Sequence, residues 1–96
     1  MTHSIDWTPV TRSDVEFAVG EFDRLGADQF YAASGYRPTT TYDLHLEGRL
    51  YPPKAILGVA YEHATGTALR PADFEGGRDG AVKVLTDLGL DVRPRE

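Results

Sequence analysis

The sequence predicts an α+β domain in which about four helices cover a small, mostly antiparallel sheet built from a β-hairpin and a C-terminal strand. Three observations carry that prediction. Val15, Ala18, Val19, Phe22 and Leu25 recur at helical spacing, whereas Tyr42-Asp43-Leu44-His45-Leu46 alternates as a half-buried strand does. The third is the run from Gly48 to Ala60, where a hairpin turn, a rigid proline pair and an apolar helix follow one another without a spare residue.

Helix one is expected from about Thr11 to Leu25. Thr11 or Ser13 offers the capping oxygen, Asp14 or Glu16 closes a capping box, and Gly26 ends the helix in a left-handed conformation. Asp28 then caps a shorter helix through Gln29-Phe30-Tyr31-Ala32-Ala33, stopped by Ser34-Gly35, with Phe30 in the core. Tyr36 to Thr41 reads as loop because of Pro38 and three successive threonines. In the strand that follows, Tyr42, Leu44 and Leu46 form the apolar face. A two-residue turn at Glu47-Gly48 or Gly48-Arg49 returns the chain so that Tyr51 joins the leucines and Leu50 joins Asp43 and His45.

Helix three starts at Pro53, since a proline N–H would have no partner in the first helical position anyway. From Ala55 to Ala60 nearly every residue is apolar, which marks a central helix covered on more than one side. Gly58 admits a close neighbour there at a cost of about 1 kcal/mol against alanine. The helix stops near Thr65-Gly66, with His63 in a last turn that favours partial positive charge. Leu69 to Phe74 is a turn with one aromatic anchor, and Gly76 to Gly80 leads into helix four, Ala81 to Leu88. Leu90-Asp91-Val92 forms the last strand, and Arg93-Pro94-Arg95-Glu96 a frayed end.

Ninety-six residues, 41% of them hydrophobic, support one domain over residues 1–96 with one core. The chain has no cysteine, so no disulfide helps the core, and the composition fits a reducing cytoplasm. Met1 to Asp6 has neither a basic start nor an apolar stretch, and no segment approaches the roughly 20 apolar residues of a membrane span. A cytoplasmic protein without a membrane partner is expected.

Catalytic patterns are missing from the sequence. His3, His45 and His63 are not spaced as metal ligands, and neither a Gly-x-Ser-x-Gly elbow nor a phosphate-loop Gly-Lys-Ser/Thr pattern occurs. Glu75 and Asp79 flank two glycines as paired carboxylates would, but capping of helix four needs the same residues. No enzyme activity, metal or cofactor is expected. The net charge of −5 argues against generic nucleic-acid binding, although residues 29–71 carry a net +1 between acidic flanks.

Four candidate binding residues, Tyr36, Arg37, Arg49 and Lys54, lie in that middle, and Gly76-Gly77 and Arg78 lie just beyond it. Lys54 falls in the first turn of helix three, on the side of the dipole that favours anions, so something negative must face it. An external phosphate satisfies this, and so does Asp43 or Glu47 of the preceding strand. Gly76-Gly77 before helix four either lets backbone amides converge on an anion, with Arg78 close by, or simply turns the chain. Lys54 and Arg78 at two helix starts would make a two-point phosphate clamp. Arg49 at the hairpin tip adds a third cation, and Arg37 or Tyr36 is placed to inspect a base.

At these residues the chain resembles the N-terminal head domain of ScoMcrA-like modification-dependent HNH endonucleases. The matching stretches are Tyr42 with Leu44, Gly48-x-x-Tyr51-x-x-Lys54-Ala55-Ile56-x-Gly58-x-Ala60, Asp73-Phe74-x-Gly76-Gly77, and Leu85-x-x-Leu88-Gly89-Leu90-x-Val92. The chain departs from the pattern at Leu90, where relatives carry phenylalanine, and in ending after the head. The resemblance implies DNA restriction or defence, beside domains that recognise methylated or phosphorothioated DNA and an HNH nuclease. The expected function is a non-catalytic DNA-binding accessory module in which Lys54, Arg49 and Arg78 meet phosphates. The alternative is a protein-interaction or oligomerisation module of a nuclease assembly.

Overall fold

The computed structural model describes residues 5–38 and 41–95. Its elements are α1 (Arg12–Leu25), α2 (Ala27–Ser34), β1 (Tyr42–Leu46), β2 (Arg49–Tyr51), α3 (Pro53–Thr65), a 3₁₀ turn (Pro71–Asp73), α4 (Ala81–Asp87) and β3 (Asp91–Pro94). The strands form one antiparallel sheet in the order β2-β1-β3, so the α+β architecture is the expected one. The alternating segment is its central strand. The readings placed on Met1 to Ser4, on Thr39 and Thr40 of the loop, and on Glu96 lie outside the described residues.

Local chemistry explains the element ends. Thr11 Oγ1 accepts from the Asp14 N–H at 3.4 Å while the Asp14 carboxylate accepts from the Thr11 N–H at 2.8 Å, a closed capping box. Asp14 also accepts from Nδ1 of His63 in the last turn of α3, at 2.8 Å, tying the start of α1 to the end of α3. The Thr11 amide first, and then His63, hold the Asp14 carboxyl below the ordinary carboxylate range. Gly26 (φ 82°) serves both α1 and α2 as their shared cap, so Asp28 does not cap α2 and instead sits inside its first turn. Glu47 (φ 51°) and Gly48 (φ 78°) form the two-residue turn, which pairs Leu44 with Tyr51 and His45 with Leu50.

The core is built on α3. Its Ala55, Ile56, Leu57 and Ala60 are buried against Val15, Ala18 and Val19 of α1, and α3 also touches α2, α4, β1 and the 3₁₀ turn. Each fully buried leucine or isoleucine here contributes about 1.5–3 kcal/mol of apolar transfer. That all-round cover is why its sequence is apolar on more than one face. Among the described residues, no helix is long and apolar enough to cross a membrane.

Two expectations are corrected. The tail is not frayed as far as residue 95: Tyr42 pairs with Pro94 and Asp43 with Arg93, and the Arg95 N–H donates to the Thr41 carbonyl at 2.7 Å. The Arg95 guanidinium closes on Asp43 through Nε (3.2 Å) and Nη2 (3.0 Å). Nor do the Glu75 and Asp79 side chains cap α4. Backbone carbonyls do it, with Glu75 O accepting from the Ala81 N–H at 2.8 Å and Gly77 O from the Val82 N–H at 3.2 Å.

Candidate functional site

Pro52 and Pro53 open α3 without an N–H between them, and the first intrahelical bond is Ile56 N–H to Pro52 O at 3.0 Å. The amides of Lys54 and Ala55 are therefore the donors of this helix start that have no partner among the described residues, and no described side chain caps them. Neither internal partner considered for Lys54 reaches it. Asp43 is occupied by Arg95, and among the described residues no carboxylate comes within 4 Å of the Lys54 ammonium. The Lys54 stem instead lies on the backbone of Gly76, where a Cβ would come within 3.3 Å of both its Cβ and its Cδ. Its ammonium sits 5.2 Å from the centroid of the Phe74 ring, a contact worth roughly 0.5–1 kcal/mol at a surface. Phe74 is fixed in turn by the edge of Trp7, 5.2 Å between centroids.

Lys54 lines a cleft of about 400 Å³. Arg37, Tyr36 and Gly77 line it as well, so four of the six residues singled out in the sequence meet there. Pro38, Pro52, Pro71 and Tyr42 contribute apolar wall, and among the described residues its lining contains no carboxylate. Three other hollows differ in that respect, since each includes Glu21 and Glu62, Asp79 and Asp87, or Asp43.

The remaining two residues fall outside the lining. Arg49 pairs with Asp23 at 3.4 Å beside the hairpin. Arg78 is exposed on the turn next to Gly77. The start of α4 does not offer the free amides expected beside Arg78, because the helix has seven residues and its leading amides are already used by the Glu75 and Gly77 carbonyls. Arg37 is the cation that shares the cleft with Lys54.

Tyr36 is a wall rather than a free reader of bases. It is 5% exposed, its hydroxyl donates to the Leu69 carbonyl at 2.9 Å, and its ring lies against the bare backbone of Gly58. Burial first, then the carboxylates of Asp73 and Glu62, push its hydroxyl up to about 12. A pKa raised above its ordinary value near 10 stabilises the fold fully below that value and is lost as pH rises through about 12. Urea midpoints are therefore expected to fall between pH 10 and 12 by the equivalent of about 2 kcal/mol. A Tyr36→Phe variant should lose this part of the slope; an unchanged slope would refute the assignment.

Sequence reasoning did not place Phe74 or Pro71 at this site, and named Gly76 only as half of the Gly76-Gly77 pair. Phe74 reads as an anchor, and Gly76 as half of a glycine pair that either gathers amides or turns the chain; their packing around the Lys54 stem is visible only in the structure.

Fold and cleft together define a small α+β domain marked by a cation-bearing cleft at the start of its central helix. Among the described residues, no group of three or more His, Asp or Glu is placed to hold a metal ion. The chain belongs to the ScoMcrA-like N-terminal head domain family, whose profile matches residues 8–94. It is similar in structure to the Type IV phosphorothioation-dependent restriction endonuclease ScoMcrA, at 32% sequence identity and a TM-score of 0.65, over 91% of this chain. That match covers 13% of the length of the enzyme. No curated protein matches the chain.

Proposed function

We propose that this chain is a non-catalytic DNA-binding accessory domain in a restriction or defence setting, acting beside nuclease and modification-recognition domains. One observation carries the reading. Of the ten Lys and Arg residues, seven have a carboxylate within 4 Å: Arg12, Arg24, Arg49, Arg70, Lys83, Arg93 and Arg95. The three left without one among the described residues are Arg37, Lys54 and Arg78, two lining the cleft and one adjoining it. Unneutralised cations gathered beside free amides suit backbone phosphates, which position a protein on DNA without specifying sequence.

The test is an anisotropy titration with unmodified, methylated and phosphorothioated DNA at two salt concentrations. Lys54→Ala should weaken binding about tenfold, the value of one charge-assisted hydrogen bond, to a similar extent for each sequence. The salt slope should fall by about one. Unchanged affinity in that variant sinks the phosphate role. No binding to any DNA at low salt, together with a dimer in light scattering, establishes the interaction module instead.

A further inference from the structure

We infer that the cleft takes one unstacked deoxynucleotide with its phosphate, from a single strand or from an extrahelical position, rather than the ridge of an intact duplex. This rests on the DNA-binding reading above and narrows it. The first argument is charge. A duplex presents about one phosphate per 1.7 Å of axis, and holding it needs a broad cationic face. This chain carries −5 overall and, among the described residues, leaves three cations without a carboxylate within 4 Å, Arg37 and Lys54 lining the cleft and Arg78 beside Gly77 at its rim, enough for one nucleotide and its flanking phosphate.

The second argument is shape and wall chemistry. A concavity of about 400 Å³ falls in the range of roughly 300–1,000 Å³ that holds small ligands, and stacked base pairs do not enter one. Its walls include the aromatic ring of Tyr42, a stacking surface for a base of any identity, and the saturated apolar rings of Pro38, Pro52 and Pro71. Arg37 and Lys54 then meet the phosphate from the same lining. An unpaired or already displaced nucleotide enters at the smallest unstacking cost.

Gly77 supplies the control. It lines the cleft, its φ is not in the left-handed range, and a Cβ built on it meets nothing within 4 Å. Gly77→Leu should therefore fill the space while leaving thermal unfolding unchanged. Three probes of one sequence are titrated at low salt against the full chain: a perfect duplex, the same duplex with a single-nucleotide bulge, and the single strand. The bulged duplex, the single strand or both should bind at least tenfold more tightly than the perfect duplex, and Gly77→Leu should abolish that preference. Which of the two binds identifies the source of the nucleotide. Equal, salt-sensitive affinity for all three probes overturns the nucleotide site and leaves DNA binding standing. Binding to none overturns both. A folded Gly77→Leu variant that keeps the preference places the site elsewhere.

Discussion

Gly58→Ala should destabilise this protein by about 3 kcal/mol, the reverse of its effect in an exposed helix interior, where alanine is favoured over glycine by about 1 kcal/mol. The difference lies in what faces α3. A Cβ on Gly58 would fall inside the phenol of Tyr36, meeting its hydroxyl oxygen and two ring carbons. Tyr36 has nowhere to go: it is buried, and its hydroxyl is held by the Leu69 carbonyl. Displacing it costs overpacking strain of about 1–3 kcal/mol plus a hydrogen bond of about 1 kcal/mol. Urea unfolding at constant slope measures the loss. Tyr36→Phe removes the hydroxyl but keeps the two ring carbons that also collide, so the double variant should recover only part of the loss, whereas Tyr36→Leu with Gly58→Ala should show the larger departure from additivity. A Gly58→Ala protein as stable as its parent would show that the ring does not pack there. Because Arg37 adjoins Tyr36, the same variant should also weaken DNA binding.

The elements legible in the sequence were those whose signals are local. The Thr11/Asp14 capping box, the Glu47-Gly48 turn and the Pro52-Pro53 start of α3 each follow from a few neighbouring residues, and the structure has all three. Gly58 announced a close neighbour without saying which, since Tyr36 arrives from 22 positions away. The site was legible to a similar depth. Helix chemistry pointed to Lys54, but its partner depends on where Asp43 finds its own cation, and that cation stands 52 residues further along the chain. The sequence assigns Arg49 and Arg78 to phosphates and Arg37 to a base, from position in the chain alone. What separates Arg49 is a carboxylate on α1, Asp23, and what separates Arg78 is a loop whose carbonyls consume the amides of α4.

Arg95→Ala should remove about a third of the folding stability, although the residue is the last but one of the sequence and is half exposed. Asp43 explains the size of the effect. It lies on the central strand, is 6% exposed, and has both carboxylate oxygens engaged by the Arg95 guanidinium. Truncating the arginine leaves a buried carboxylate uncompensated, and such a loss exceeds anything the ion pair contributes on its own. Arg95→Lys should restore the charge without the two-pronged geometry and so recover only part of the loss. Replacing both partners, Asp43→Val with Arg95→Met, should recover most of it, because the apolar pair strands no charge and valine suits a central strand. The consequence reaches the cleft through Pro38, which borders both the cleft and the hollow that holds Asp43; the bond from the Arg95 main-chain N–H to the Thr41 carbonyl survives the substitution. If Arg95→Ala unfolds at the same urea concentration as the parent, water already satisfies Asp43 and the tail is the loose end its composition suggested.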